Sequence, residues 1–210
     1  MTNNQLHGKK FEDLIKGCGL FSGSADGGRL PTAGFDIEAR YDKLLGLPTS
    51  IKSTGSNIVG LSDARSFFAI SDKFRMLVGH YTQNGPHKVF KTIHEFILTP
   101  TILAELRDEV TLEDVVHFHN GLRLDSFPVG SHSEARQWAR QRKVAIADKR
   151  SMITLNPKID SKRQRRLQCS LRLSELIELC SAHETYKLHE DSIGDLVLPI
   201  KQISSARHLP

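Results

Sequence analysis

The chain has 210 residues, which is enough for one domain with a hydrophobic core. Its apolar content of 39% and charged content of 25% are ordinary for a globular protein, and no apolar run reaches the roughly 18 residues that a membrane span needs. The polar N-terminus lacks the apolar region of a secretory signal, and three cysteines without a CxxC pair disfavour a disulfide scaffold or a structural zinc site, so we expect a cytoplasmic protein without a membrane partner.

The net charge of +5 is unevenly distributed along the chain. Residues 131–172 contain twelve lysines or arginines and three acids, a local balance of +9, whereas residues 105–125 contain six acids and two arginines. Segregation of this kind is typical of a protein that presents one side to a polyanion. We therefore expect a single domain over residues 1–210, with a basic nucleic-acid-contacting region at about 131–172.

The first predicted element is a helix over residues 4–18. Four apolar residues recur there at helical spacing, namely Phe11, Leu14, Ile15 and Cys18. Glu12 lies on the flank of this apolar stripe, near the edge of the predicted core.

Two short strands are predicted next. In residues 35–39 apolar side chains alternate with Asp36 and Glu38, and in residues 47–54 they alternate with Ser50 and Lys52. Alternation with a period of two gives each strand one apolar and one polar face. If the two strands pair with their apolar faces together, Asp36 and Lys52 share the other face.

The remaining elements predict a mixed α+β (mixed α/β) fold, because helices and hairpins occur without a regular βαβ alternation. A hairpin over residues 73–98 turns at Asn84-Gly85. Helices are predicted to begin at four sites, namely Ser62, Pro100, Thr111 and Ser133, and a further helix over residues 175–180 is capped by Ser174. The other predicted strands are residues 143–148, 151–157, 165–173 and 194–200.

An acid and a lysine on one face suit the hydrolysis of a phosphodiester bond. This reaction uses a divalent cation that binds the phosphate and lowers the pKa of a bound water, and carboxylates that hold the cation. A lysine orients the nucleophile or stabilises the charge of the transition state. Asp36 and Lys52 supply the carboxylate and the lysine.

At this point the sequence resembles the PD-(D/E)xK nuclease superfamily, which includes type II restriction endonucleases and junction resolvases. The segment HGKKFEDLIK is similar to the family's first helix, with Glu12 in place of its glutamate. Asp36 matches the strand aspartate and Lys52 matches the lysine of the next strand. The resemblance covers residues 7–54 and implies a restriction-endonuclease-like mixed sheet flanked by helices.

Ser50 stands where the family usually has an acid two residues before the lysine. Some restriction enzymes similarly carry Ser-x-Lys and take the missing carboxylate from the following helix. Asp63 is the best candidate for that carboxylate here, and Glu38 is a rival because it shares the predicted face of Asp36. Glu12 completes the metal shell or acts through a water molecule. If none of these acids reaches the site, a binding-only domain remains.

The segment over residues 156–172 is predicted to contact DNA. Arginine and lysine bind phosphates without regard to sequence, and arginine and glutamine can read guanine and adenine edges in the major groove. The candidate DNA-binding residues are Lys158, Lys162, Arg163, Gln164, Arg165, Arg166 and Gln168.

The resemblance implies a Mg²⁺-dependent, sequence-specific double-stranded DNA endonuclease of the type II restriction class, whose products carry 5′-phosphates. Cutting both strands of a palindrome needs two sites, so we expect a homodimer. No GxxxxGK[ST] motif is present, so no nucleotide cofactor is expected. Two alternatives stay open: a repair or junction-resolving nuclease, and a DNA-binding module without catalysis.

Overall fold

The computed structural model describes residues 3–22, 35–85, 87–123, 125–161, 163–194, 196–197 and 203–204. It has the predicted α+β fold. The helices are α1 (Asn3–Lys16), α2 (Ala64–Phe68), α3 (Pro100–Arg107), α4 (Leu112–Gly121), α5 (His132–Ala147) and α6 (Leu173–Ala182). The strands are β1 (Thr49–Thr54), β2 (Ile58–Asp63), β3 (Phe74–Asn84), β4 (His87–Leu98), β5 (Thr154–Ile159), β6 (Arg165–Arg172), β7 (Tyr186–His189), β8 (Ser192–Ile193), β9 (Leu196–Val197) and β10 (Ile203–Ser204).

The chain divides into two compact units. The first comprises Met1–Val59, Lys73–Thr99 and Ile177–Pro210, and the second comprises Gly60–Asp72 and Pro100–Leu176. Across the described ranges, none of the helices combines the length and hydropathy of a bilayer-spanning segment.

The first unit is built on a mixed sheet. Strand β1 runs parallel to β3, whereas β3, β7 and β10 each pair antiparallel with β4. The β3–β4 hairpin confirms the predicted turn, since Gly85 adopts a φ of +55°, a conformation that favours glycine. Directly paired residues point to the same face of a sheet, so the register assigns each side chain to one of two faces.

Helix α1 covers one face of this sheet. The ring of Phe11 stacks on Phe90, with 4.3 Å between the ring centroids. The same ring lies over Gly79, where a Cβ would overlap it. Ile51 and Leu77, which are paired across β1 and β3, belong to the same buried cluster. The face that carries Ile51 is therefore the core face, and the neighbouring residues of β1 point to the other side.

A buried ionic network lies on this core face. The Arg75 side chain, which is 1% exposed, has Nη2 at 3.1 Å from Oδ1 of Asp42 and Nη1 at 3.4 Å from Oε1 of Glu95. Its Nε donates to Oγ1 of Thr49 at 3.2 Å. Burial alone would raise the pKa of Glu95, but a 2.7 Å hydrogen bond with His189 and the charge of Arg75 hold that pKa below its ordinary value. One arginine thus links β1, β3, β4, β7 and the loop before β1.

The second unit contains a three-stranded sheet in the order β2–β6–β5, together with α2 to α5. Helices α4 and α5 pack through Phe118 and Trp138, whose ring centroids are 5.6 Å apart. The Trp138 ring also lies over Gly121, where a Cβ would overlap it. The guanidinium of Arg107 in α3 donates to the backbone oxygens of Phe67 and Ile70, which ties α3 to the end of α2.

Several predicted boundaries are confirmed. Helix α3 begins at Pro100, and Thr111 forms a capping box with Asp114 at the start of α4. Strand β6 alternates as predicted, with Leu167 and Cys169 buried and their neighbours partly or fully exposed.

The predicted strand over residues 143–148 is wrong, because residues 143–147 form the C-terminal end of α5 and Asp148 is its C-cap. Helix α5 is sixteen residues long. Its buried residues, Ala135, Ala139 and Ile146, recur at helical spacing and anchor one face of the helix. The cap was also misplaced by two residues, since Ser131 rather than Ser133 precedes the helix.

Other predictions were wrong at element ends. Residues 35–39 form one bridge at Ile37, followed by a 3₁₀ turn, instead of a full strand. Ser62 belongs to β2, and the cap of α2 is Asp63. Helix α6 begins one residue before Ser174. Of the predicted strand over residues 194–200, Leu196–Val197 form the short β9 and Gly194 lies in a turn, and residues 195 and 198–200 lie outside the described residues.

Replacing Arg75 with Met should lower the free energy of unfolding by about 3–5 kcal/mol, because Asp42 and Glu95 then remain buried without their cation. Urea denaturation measures the change. The control Arg123→Met, at a side chain that is 60% exposed, should shift stability by no more than about 0.5 kcal/mol. Equal losses in the two variants would contradict the role given to the network.

Candidate functional site

Asp36 is positioned by an antiparallel bridge between Ile37 and Thr49. Thr49 N donates to Ile37 O at 2.8 Å, and Ile37 N donates to Thr49 O at 3.0 Å. The N–H of Asp36 also donates to Thr49 O, at 2.9 Å. These bonds hold the backbone of Asp36 beside the first residue of β1.

One carboxylate oxygen of Asp36 collects three donors from β1. Oδ2 accepts from the backbone N–H of Ile51 at 2.6 Å, from Oγ of Ser50 at 3.3 Å and from Nζ of Lys52 at 3.3 Å. Within the described part of the chain, no hydrogen bond reaches the other oxygen, Oδ1. The carboxylate is therefore fixed through one oxygen. We name Asp36, Ser50 and Lys52 the acid–lysine cluster.

The acid–lysine cluster is partly open to solvent. The side chain of Asp36 is 26% exposed and that of Lys52 is 18% exposed, whereas Ser50 is buried. Partial burial strengthens the interaction of these charges with each other and with an incoming anion. A solvated surface ion pair would be worth less than about 1 kcal/mol and would lack the backbone donor.

Lys52 and His94 belong to one row across the sheet, on the face opposite α1. Lys52 pairs with Val78, and Val78 pairs with His94. The His94 ring shares a 3.0 Å hydrogen bond with the hydroxyl of Tyr186. Burial, reinforced by the charge of His80, lowers the pKa of His94 to about 4. His94 is therefore neutral at neutral pH, and Lys52 supplies the positive charge in this row.

The other acids predicted for the site have different partners. Glu12 forms an ion pair with Lys16 at 2.5 Å, and Glu38 forms one with Arg40 at 3.0 Å. Asp63 caps α2, where its Oδ1 accepts from the N–H and the hydroxyl of Ser66.

The structure thus brings together Asp36, Ser50 and Lys52, and it gives Glu12, Glu38 and Asp63 partners outside the acid–lysine cluster. Among the residues that the structure describes, no group of three or more His, Cys, Asp or Glu side chains is arranged to hold a metal ion.

The cysteines do not offer a nucleophile. Cys18, Cys169 and Cys180 are buried, and no disulfide joins any two of them. Burial raises the pKa of Cys169 to about 12 and that of Cys180 to about 11, so neither thiol ionises near neutral pH.

The predicted DNA-binding residues that the structure describes lie on the β5–β6 hairpin of the second unit. Lys158 pairs with Arg166 across the two strands, so their side chains share one face, together with that of Gln168. Arg163 and Gln164 are exposed in the turn. These side chains form a polar, basic face.

One of the predicted DNA-binding residues stands apart from this face. Arg165 points to the other side of β6, and its guanidinium donates to the backbone oxygens of Asp160 and Gln164. Lys162 lies outside the described residues.

Two features of the molecule were missed in the sequence. Nothing in the sequence indicates that the backbone N–H of Ile51 donates to Asp36, because this contact depends on the bridge between Ile37 and Thr49. Three basic residues of α5, namely Arg136, Arg140 and Lys143, line a groove beside β5. Their spacing of four and three residues would have placed them on one helical face, had the segment been predicted as one helix.

Comparisons with family models, with curated proteins and with solved structures found no match for this chain.

The free energy of unfolding should fall as the pH decreases from about 6.5 to about 4, because in this window the unfolded chain protonates at His94 and the folded chain does not. The variant His94→Gln should remove that part of the pH dependence. Urea denaturation across this pH range measures it, with His117→Gln, at an exposed histidine of α4, as the control. An unchanged pH profile in His94→Gln would refute the assignment.

Proposed function

We propose that the protein is a Mg²⁺-dependent, sequence-specific endonuclease of the type II restriction class that hydrolyses phosphodiester bonds of double-stranded DNA. The observation that carries this proposal is the contact of Lys52 with Asp36, at 3.3 Å, beside a carboxylate oxygen that accepts no bond within the described residues. The resemblance of residues 7–54 to the PD-(D/E)xK superfamily, noted in the sequence, supports the same assignment.

The chemistry of the donor set fits Mg²⁺. This ion prefers oxygen ligands, keeps several of its waters and is commonly held by one or two carboxylates together with substrate phosphates. Oδ1 of Asp36 would hold the ion, since Oδ2 is already occupied by three donors. When bound, Mg²⁺ supplies a water of lowered pKa and offsets the negative charge of the phosphate.

The chain's own residues have distinct tasks in this proposal. The ammonium of Lys52 orients the attacking water and stabilises the charge that develops on the phosphate oxygens. Ser50 and the N–H of Ile51 hold the Asp36 carboxylate in one orientation, so that its free oxygen keeps a fixed direction. This preorganisation avoids reorienting the carboxylate during the reaction.

The second unit would bind the substrate. Lys158, Arg166 and Gln168 share one face of the β5–β6 hairpin, where they can contact phosphates and base edges of a duplex. Cutting both strands at a palindrome requires two copies of the acid–lysine cluster, and a homodimer supplies them. The family resemblance implies 5′-phosphate products.

A second candidate function is DNA binding without catalysis. It is favoured by one observation, that Asp36 is the single carboxylate of the acid–lysine cluster and that Ser50 stands where the family carries an acid. In that case the contact of Asp36 with Lys52 would only complete the hydrogen bonding at the edge of β1.

Incubation with phage DNA should give discrete fragments in Mg²⁺ and none in EDTA. Asp36→Asn and Lys52→Met should each slow cleavage at least about 100-fold, because each removes a charge from the reacting centre. The matched controls Asp13→Asn and Lys91→Met, at exposed positions of α1 and β4, should cleave at the wild-type rate.

The remaining outcomes of this cleavage assay separate the alternatives. A smear, or nicking confined to branched DNA, would replace the proposal with a junction-resolving or repair nuclease. Binding without cleavage in Mg²⁺ or Mn²⁺ would leave the non-catalytic module.

If a second carboxylate joins the metal, one of three isosteric variants, Glu12→Gln, Glu38→Gln or Asp63→Asn, should lose cleavage at least about tenfold. Asn caps helices about as well as Asp, so Asp63→Asn separates a loss of charge from a loss of the α2 cap. Cleavage rates and urea denaturation of the three variants make the assignment. Full activity in all three would show that none of these three acids joins Asp36 at the metal.

A further inference from the structure

A groove of about 360 Å³ runs between α5 and β5 in the second unit. Arg136, Arg140 and Lys143 line it from the helix, and Lys158 lines it from the strand. The small buried Ala139 contributes to its helical wall. We name these four cations the groove cations.

The helical groove cations form a row. Residues four and three positions apart lie on one face of a helix, at a rise of about 1.5 Å per residue, so Arg136 to Lys143 spans about 10 Å along the axis. Consecutive phosphates of one B-DNA strand are farther apart than their ~3.4 Å rise along the duplex axis, so the row is long enough for about two of them. A single small anion would reach only part of this length.

The groove cations lack acidic partners, in contrast to other cations of the same unit. Within the described ranges, no carboxylate pairs with any of the four. Lys149, just beyond α5, pairs with Asp114 at 2.6 Å, and Arg150 pairs with Glu109 at 3.0 Å. Lys149 and Arg150 are thus neutralised by neighbouring acids, whereas the groove cations have no such partner among the described residues, and uncompensated positive charge favours an anionic ligand.

Two further contacts organise the groove. Arg136 donates to the backbone oxygen of Ile159 at 3.1 Å, so its guanidinium is held beside Ile159 in the lining of the groove. Lys158 pairs with Arg166 on the neighbouring strand, which extends the positive charge onto the polar face of the hairpin. The charge thus forms a continuous track from α5 across β5 to β6.

We propose that this groove binds consecutive backbone phosphates of one strand of a DNA duplex, independently of sequence. The proposal rests on the proposed function in taking DNA as the partner, and it adds a binding site on α5 to the residues of the hairpin. The groove cations would set the affinity and its salt dependence, while base contacts are left to the hairpin.

Fluorescence anisotropy with a short labelled duplex, in EDTA so that no cleavage occurs, tests the proposal. Arg140→Gln combined with Lys143→Gln should weaken binding at least about tenfold at roughly 100 mM salt, and should make the slope of log K against log salt shallower by about 2. The charge-retaining pair Arg140→Lys with Lys143→Arg should bind within about twofold of the wild type.

Arg123→Gln is the matched control, because it removes one exposed positive charge of the same unit outside the groove. It should bind DNA as the wild type does. Unchanged binding in the Gln double variant, an equal loss in Arg123→Gln, or equal competition by poly-glutamate would each overturn the proposal.

The two proposals fail separately. If the Gln double variant binds normally while the wild type cleaves DNA, the groove is refuted and the nuclease stands. If the wild type never cleaves but binding shows the predicted loss and salt slope, the nuclease is refuted and the groove stands.

Discussion

The acid–lysine cluster depends on the buried Arg75. Its Nε fixes the side chain of Thr49, and its Nη atoms contact Asp42 and Glu95 from two other parts of the first unit. Thr49 in turn forms the bridge that positions Asp36. Since a buried cation of this kind is stable only while its carboxylates stay in place, the network restricts the start of β1 to one register, and this register brings Lys52 to Asp36.

The two carboxylate oxygens of Asp36 differ in their contacts. The three donors on Oδ2 of Asp36 fix the carboxylate, and under the proposed function Oδ1 would hold the metal ion. Lys52 lies on the sheet face opposite the α1 core, so its ammonium can meet a phosphate without disturbing that core. The second unit presents positive charge in its groove and hairpin, and no carboxylate of the described residues pairs with the groove cations.

Local patterns predicted much of this architecture. The alternation of apolar and polar residues predicted that Asp36 and Lys52 share a face. The Asn84-Gly85 pair predicted the position of the hairpin turn. The predicted strand around Asp36 was too long. The Asp36 carboxylate accepts a hydrogen bond from the N–H of Ile51, which a longer pair of strands would use for a backbone hydrogen bond. The end of α5 was missed because tertiary burial of Ile146 outweighs the strand-like run around it. The Arg75 network joins residues distant in the chain, which no local pattern can predict.

The central claim is that Oδ1 of Asp36 binds a divalent cation. Titration of the metal-free protein with Mn²⁺, followed by the electron paramagnetic resonance signal of the free ion, tests it most directly, because it requires neither DNA nor cleavage. The account predicts a saturable site in the wild type that is lost in Asp36→Asn and kept in Asp13→Asn. Equal Mn²⁺ binding by the wild type and Asp36→Asn would contradict it.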